Sequence, residues 1–114
     1  MIELTLPWPP SVNKYWRTFQ GRMIISAEGR AYRKAVTDQV FVQRGAKLFK
    51  GKLLVEIEAY RPDNRRRDLD NLLKAALDGC TFAGVWVDDS NIVDLRIYWA
   101  ESIGGMLKVK VSEA

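Results

Sequence analysis

The chain contains no histidine and only one cysteine, Cys80. Without histidine, the commonest general base and the usual zinc ligand are both missing, so catalysis falls to carboxylates, lysine or a cation held by oxygen atoms. Hard ions such as Mg²⁺ or Mn²⁺ suit ligands of that kind. One cysteine cannot form an intrachain disulfide or a multi-cysteine zinc site, and Cys80 reads as a small buried residue with no redox role. No run of about 18 apolar residues is present to span a membrane. The opening MIELTLPWPPS lacks the basic and long apolar segments of a secretory signal. These absences predict a cytoplasmic protein with no membrane partner.

What is present fits a soluble globular chain: 47% of residues are apolar and 28% charged, the balance expected of an ordinary core under a charged surface. The length predicts a single domain over 1–114, large enough to fold without staples. Net charge is +4 and the isoelectric point about 9.4. The positive charge is unevenly placed. Arg61, Arg65, Arg66 and Arg67 fall within seven residues, and Arg17, Arg22, Arg30, Arg33 and Lys34 lie in the N-terminal third. Such clustering points towards phosphate-bearing partners, although many basic proteins bind no nucleic acid.

Periodicity gives the element order. Ile2, Leu4 and Leu6 alternate with polar residues as in a half-buried strand, and PWPPS then breaks regular structure. NKYWRTFQGRMIIS reads as a hairpin turning near Gln20-Gly21. Ser26 is a candidate N-cap for a helix over 27–44 with Ala31, Tyr32, Ala35, Val36, Val40 and Phe41 as its apolar stripe. Val55, Ile57 and Ala59 mark a strand ended by Arg61-Pro62. A helix from Asp68 to Cys80 carries Leu69, Leu72, Leu73, Ala76 and Leu77 inward, and FAGVWVDDSN reads as a loop or short extended piece. Val93, Leu95, Ile97 and Trp99, and then Leu107, Val109 and Val111, mark two closing strands. The expected fold is α+β, two layers, with two main helices against a mixed or antiparallel sheet in the order β, β-hairpin, α, β, α, β, β.

The chemistry concentrates in RRRDLDNLLKAALDG, residues 65 to 79. Asp68 suits a helix N-cap, where exposed amides and the helix dipole favour a carboxylate. Inside a helix, Asp68 and Asp70 would diverge by about 200°; with Asp68 as an extended cap, both can converge on one ion. Lys74 shares a helix face with Asp70 and Asp78, which suits either an exposed ion pair or a cation beside a reacting phosphate. Asp88 and Asp89 are equally good turn residues or ligands. Reach permits the second role: the helix advances about 15 Å from Asp70 to Cys80, and nine extended steps return up to about 30 Å. Carboxylates alone would repel a polyanion. With a divalent cation bound and Arg65, Arg66 and Arg67 alongside, the segment would attract one. Lys14, Tyr15, Trp16 and Arg17 form a second basic-aromatic cluster that suits backbone contact or stacking on an unpaired base, or a rigid loop with Trp8 or Trp16 packed on the core.

Taken together, LPWPPSVNKYWR, ISAEGRAYR, RPDNRRRDLDNLLKAALDG and AGVWVDDSNI resemble the RusA family of Holliday junction resolvases, over about residues 4 to 96. The resemblance implies metal-binding aspartates at Asp68, Asp70 and Asp89, an essential lysine at Lys74, and Asp88 as a secondary candidate. It further implies Mg²⁺ as cofactor (Mn²⁺ can substitute), a homodimer, and symmetric cutting of paired strands in four-way branched DNA with 5′-phosphate and 3′-hydroxyl products. Arg65, Arg66, Arg67, Lys14 and Arg17 would hold the DNA backbone, and no other protein partner is implied. Two other readings use the same residues: a non-catalytic junction-binding protein, and a metal-dependent RNase.

Overall fold

The computed structural model describes all residues, 1–114. Strand β1 (Ile2–Pro7) follows from the alternation at the N-terminus, burying Leu4 and Leu6. Helix α1 is a single turn (Val12–Tyr15) in which the Ser11 carbonyl accepts from the N–H groups of Lys14 and Tyr15. Strands β2 (Trp16–Phe19) and β3 (Arg22–Ile25) form the expected hairpin about Gln20-Gly21. It begins after Tyr15 rather than at Asn13, because the Ser11 carbonyl winds that segment into a helical turn. Both turn residues have positive φ, 50° and 75°, the backbone that a tight two-residue hairpin needs and that glycine adopts without cost.

Helix α2 (Ala27–Val42) is capped by Ser26, whose hydroxyl accepts from the Gly29 N–H at 3.0 Å. Tyr32, Val36 and Val40 are buried, whereas Ala31 and Phe41 of the expected stripe are exposed. Each sits one position along from a buried residue, and a 100° rotation carries it off the narrow inward face. Strand β4 (Leu53–Tyr60) buries Leu53, Val55, Ile57 and Ala59. Helix α3 spans Asp70–Phe82 and buries Leu72, Ala75, Ala76, Gly79 and Cys80. Leu69, Leu73 and Leu77, expected inward, are half-buried at its flank. A 3₁₀ turn (Asp89–Asn91) leads into β5 (Ile92–Trp99), and β6 (Met106–Glu113) closes the chain.

The main sheet runs β1-β6-β4-β5. Its β1/β6 and β6/β4 pairs are antiparallel and β4/β5 is parallel, so the sheet is mixed. A parallel neighbour requires a crossover, and α3 supplies it. Helices α2 and α3 cover one face in a second layer, around a core of 19 buried residues. The fold is α+β, as the periodicity predicts. Strand β5 departs in one respect: Val93 and Leu95 are exposed. It is an edge strand, and the register skips Val93 between the Leu53–Ile92 and Leu54–Asp94 pairs. The segment read as a loop before the aspartates also contributes to the core. Val85 and Trp86 are buried, Trp86 bridges to Phe49, and its indole N–H donates to Thr81 Oγ1 at 2.7 Å.

Candidate active site and nucleic-acid interface

Helix α3 begins two residues later than the sequence suggests, and this changes the role of Asp68. The residue before the helix is Leu69, in helical conformation and without a side-chain cap. Asn71 N–H donates to the Asp68 carbonyl at 3.2 Å and Leu72 N–H to the Leu69 carbonyl at 3.1 Å, a tight entry turn. The backbone of Asp68, not its carboxylate, therefore serves the helix start. Asp70 occupies the first turn, where the helix dipole favours negative charge.

One cleft is lined by Asp70, Leu73, Lys74, Leu77 and Asp78 of α3, Trp16 of β2, and Asp89. Asp68 lines a second cleft with Trp8, Pro9, Ser11, Arg66, Arg67, Asn71 and Leu72. The structure thus brings Asp70, Lys74 and Asp89 together, while Asp68 opens into the adjacent hollow. No three carboxylate or thiol side chains gather closely enough to enclose an ion. Asp68, Asp70 and Asp89 are exposed, and none forms an ion pair with an arginine or lysine. The donors fit a hard divalent cation: they are carboxylate oxygens, and Mg²⁺ takes one or two carboxylates while keeping several waters. Asp88 is engaged differently. Its carboxylate accepts from the Ser90 N–H at 2.9 Å, and hydrogen bonds from the Ser90 backbone and side chain hold it below the usual carboxylate range.

Lys74 makes neither of the helix ion pairs that its spacing allows. Its ammonium lies 6.0 Å from the centroid of the Trp16 ring, near the limit of a cation–π contact. Asp78 is taken instead by Arg33, through Nε at 2.8 Å and Nη2 at 3.2 Å. The buried Tyr15 hydroxyl also donates to Asp78, and the Arg33 guanidinium sits 5.0 Å from the Phe82 ring. Burial pushes the Asp78 carboxyl up, but the Arg33 and Tyr15 hydrogen bonds, with the charges of Arg33 and Lys74, outweigh it and leave Asp78 lowered. Burial and then the bond to Asp78 push the Tyr15 phenol to about 12. This cluster pins α1 and the hairpin root against α2 and α3. Tyr15 therefore belongs to the core rather than to a nucleic-acid surface. The sequence signals for the cluster were slight: Asp78 at helical spacing from Lys74, and Arg33 just off the α2 stripe.

The arginine run separates into two kinds of residue. Arg67 is a brace, pairing with Asp63 at 2.8 Å, donating to the carbonyls of Asp63 and Arg65, and lying 5.8 Å from the Trp8 ring. Trp8 stacks on Trp99 at 6.3 Å and the Arg61 guanidinium lies 4.5 Å from the Trp99 centroid, so cation–aromatic contacts tie the loop to the sheet. Asp63 is lowered by the Arg65 backbone N–H and by Arg67. Arg65 and Arg66 are exposed, as are Lys14 and Arg17. Arg65 touches Asp63 only at 3.8 Å, and its side chain faces solvent.

A carboxylate cleft beside exposed arginines agrees with relatedness at the level of the whole chain. Residues 7–112 match the family model described as endodeoxyribonuclease RusA, and the chain belongs to that family. Its relatives include the crossover junction endodeoxyribonuclease RusA of Shigella sonnei (strain Ss046), 47% identical over 115 residues. The proteins of that name from Escherichia coli (strain K12) and from Enterobacteria phage 82 are 46% and 44% identical. Each alignment covers 97% of this chain and 93% of the relative.

Proposed function

We propose that the chain, as one endonuclease domain over 1–114, acts as a homodimer that resolves four-way DNA junctions by Mg²⁺-dependent phosphodiester hydrolysis, Mn²⁺ being an adequate substitute. The observation that carries this reading is the cleft in which Asp70, Asp89 and Lys74 meet beside an exposed arginine loop, in a chain nearly half identical to crossover junction endodeoxyribonucleases. Asp70 and Asp89, which line one cleft, would hold the cation. Asp68, which opens into the adjacent hollow, is the third carboxylate that the family resemblance assigns. A divalent cation, when bound there, lowers the pKa of a coordinated water and offsets charge on the phosphate.

The protein's own groups do the rest. Lys74 places fixed positive charge where the phosphate and leaving oxygen gain negative charge, its ammonium 6.0 Å from the ring of Trp16 at the cleft wall. Leu73, Leu77 and Trp16 form the apolar side of the cleft. Arg65, Arg66, Lys14 and Arg17 grip the backbone. A four-way junction has near two-fold symmetry, and a two-fold dimer offers one site to each of two opposed strands. Products are 5′-phosphate and 3′-hydroxyl ends. The site of action is cytoplasmic, on the DNA; no helix is long and apolar enough to cross a membrane.

The test is Asp70→Asn. Cleavage should fall by at least a thousandfold, while junction binding holds or tightens because a negative charge beside phosphate is gone. A folded variant that cuts normally would refute the role of Asp70. Loss of binding with the fold intact would assign Asp70 to recognition instead.

A further inference from the structure

The β2–β3 hairpin is the segment that the cleft leaves unexplained. It is a two-stranded sheet of its own, anchored where Trp16 and Ile25 pair and pack on the core. Beyond that root, residues 17–23 are all exposed. Among them Phe19 is 47% and Met23 66% exposed, so the tip presents apolar side chains to solvent. Pairing of Arg17 with Ile24 and of Phe19 with Arg22 puts these four on one face, because opposed residues of an antiparallel pair share a side. The Arg17 guanidinium lies 5.3 Å from the Phe19 centroid.

Charge separates this ribbon from the rest of the surface. The chain has 14 acidic residues, yet none lies between positions 4 and 27. Lys14, Arg17 and Arg22 make no ion pair. On the open face of the main sheet, by contrast, Lys110 stands between Glu3 and Glu56, Lys108 opposes Glu58, and Arg96 opposes Glu56. That face is neutralised in rows; the hairpin is not. An exposed aromatic beside two unneutralised arginines complements a base face flanked by phosphates. The position suits this as well. Trp16 lines the carboxylate cleft, and Phe19 lies three residues on, about 10 Å along the strand, which is about three base steps.

We propose that the hairpin is a branch-engaging arm: Phe19 stacks on a base left unpaired at the branch point, and Arg17 and Arg22 hold the phosphates on either side. The inference deepens the junction reading above and rests on it. The probe is a four-way junction carrying 2-aminopurine at the branch, titrated in EDTA so that opening is read without cutting. Wild type should raise the fluorescence. Phe19→Ala should remove most of that rise and lower the preference for junction over linear duplex about tenfold, with duplex affinity and melting temperature unchanged; Phe19→Trp should restore both. Arg17→Ala with Arg22→Ala should weaken binding to either DNA and reduce the salt slope by about 2. A full fluorescence rise and unchanged preference in Phe19→Ala would overturn the arm, as would a wild-type complex that forms without any rise. Cleavage by the wild type, measured separately in Mg²⁺, distinguishes failure of the arm from failure of the junction reading: nicks alongside an unaffected Phe19→Ala refute the arm alone.

Discussion

At the residue scale, three side chains decide how firmly the cleft is held. Arg33, Asp78 and Tyr15 form a half-buried network in which each protonation state is matched to its neighbours. Asp78→Asn leaves the Arg33 charge without its carboxylate and should cost about 1–3 kcal/mol of stability, read as a lower urea midpoint. Tyr15 gives the pH dependence. Its phenol is raised from 10.0 to about 12, so between those values the native state keeps a proton that the unfolded chain has lost. Stability from Tyr15 is therefore complete below pH 10 and is lost as pH rises towards 12. Asp78 acts with the opposite sign: its lowered carboxyl contributes above the ordinary carboxylate range and is lost in acid, as pH falls through its own pKa. Urea midpoints across pH 9–12 should fall less steeply in Tyr15→Phe than in wild type. Parallel curves would remove Tyr15 from the titration.

At the element scale, α2 and the hairpin root are fitted to one another through Gly29. A Cβ there would stand 2.5 Å from the Tyr15 carbonyl oxygen and 2.6 Å from Ile25 Cγ1. Alanine would gain about 1 kcal/mol in helix propensity, but overlap with a backbone atom costs about 1–3 kcal/mol, so Gly29→Ala should lower the melting temperature. The arginine loop offers a second comparison. Arg65→Ala with Arg66→Ala should leave the melt unchanged and flatten the salt dependence of DNA binding. Arg67→Ala should instead lower the melting temperature, since Arg67 braces Asp63 and covers Trp8. Equal salt slopes for wild type and the Arg65/Arg66 variant would return those two arginines to the solvated surface.

At the scale of the whole molecule, much of the architecture was legible from periodicity. Alternation at Val55, Ile57 and Ala59 and at Leu107, Val109 and Val111 marked strands that bury those residues, and Ser26 marked the start of α2. Element order alone could not show that β4 and β5 run parallel, or that β5 lies at an edge where Val93 and Leu95 stay exposed. Those facts depend on which strands pair across long separations. The same limit applies to the site. The acidic residues and Lys74 stood out by spacing and resemblance, whereas the Asp78–Arg33 pair joins residues 45 apart in sequence and leaves almost no local trace. The entry of α3 departs from the sequence pattern because Asp68 has the form of a cap, yet a tight backbone turn begins the helix without its carboxylate.

Charge is sorted on this same scale: the open sheet face is neutralised by its register, while the hairpin cations and Arg66 make no ion pair and Arg65 touches only Asp63, at 3.8 Å. Junction resolution by a two-site dimer is tested most directly by mapping cuts in a synthetic mobile four-way junction, with linear duplex as control, with and without Mg²⁺. Paired nicks at symmetric positions in opposed strands, absent without Mg²⁺ and absent from the duplex, are the expected result. Tight junction binding with no nicks at any Mg²⁺ concentration would contradict it and leave an architectural binder whose aspartates only shape turns.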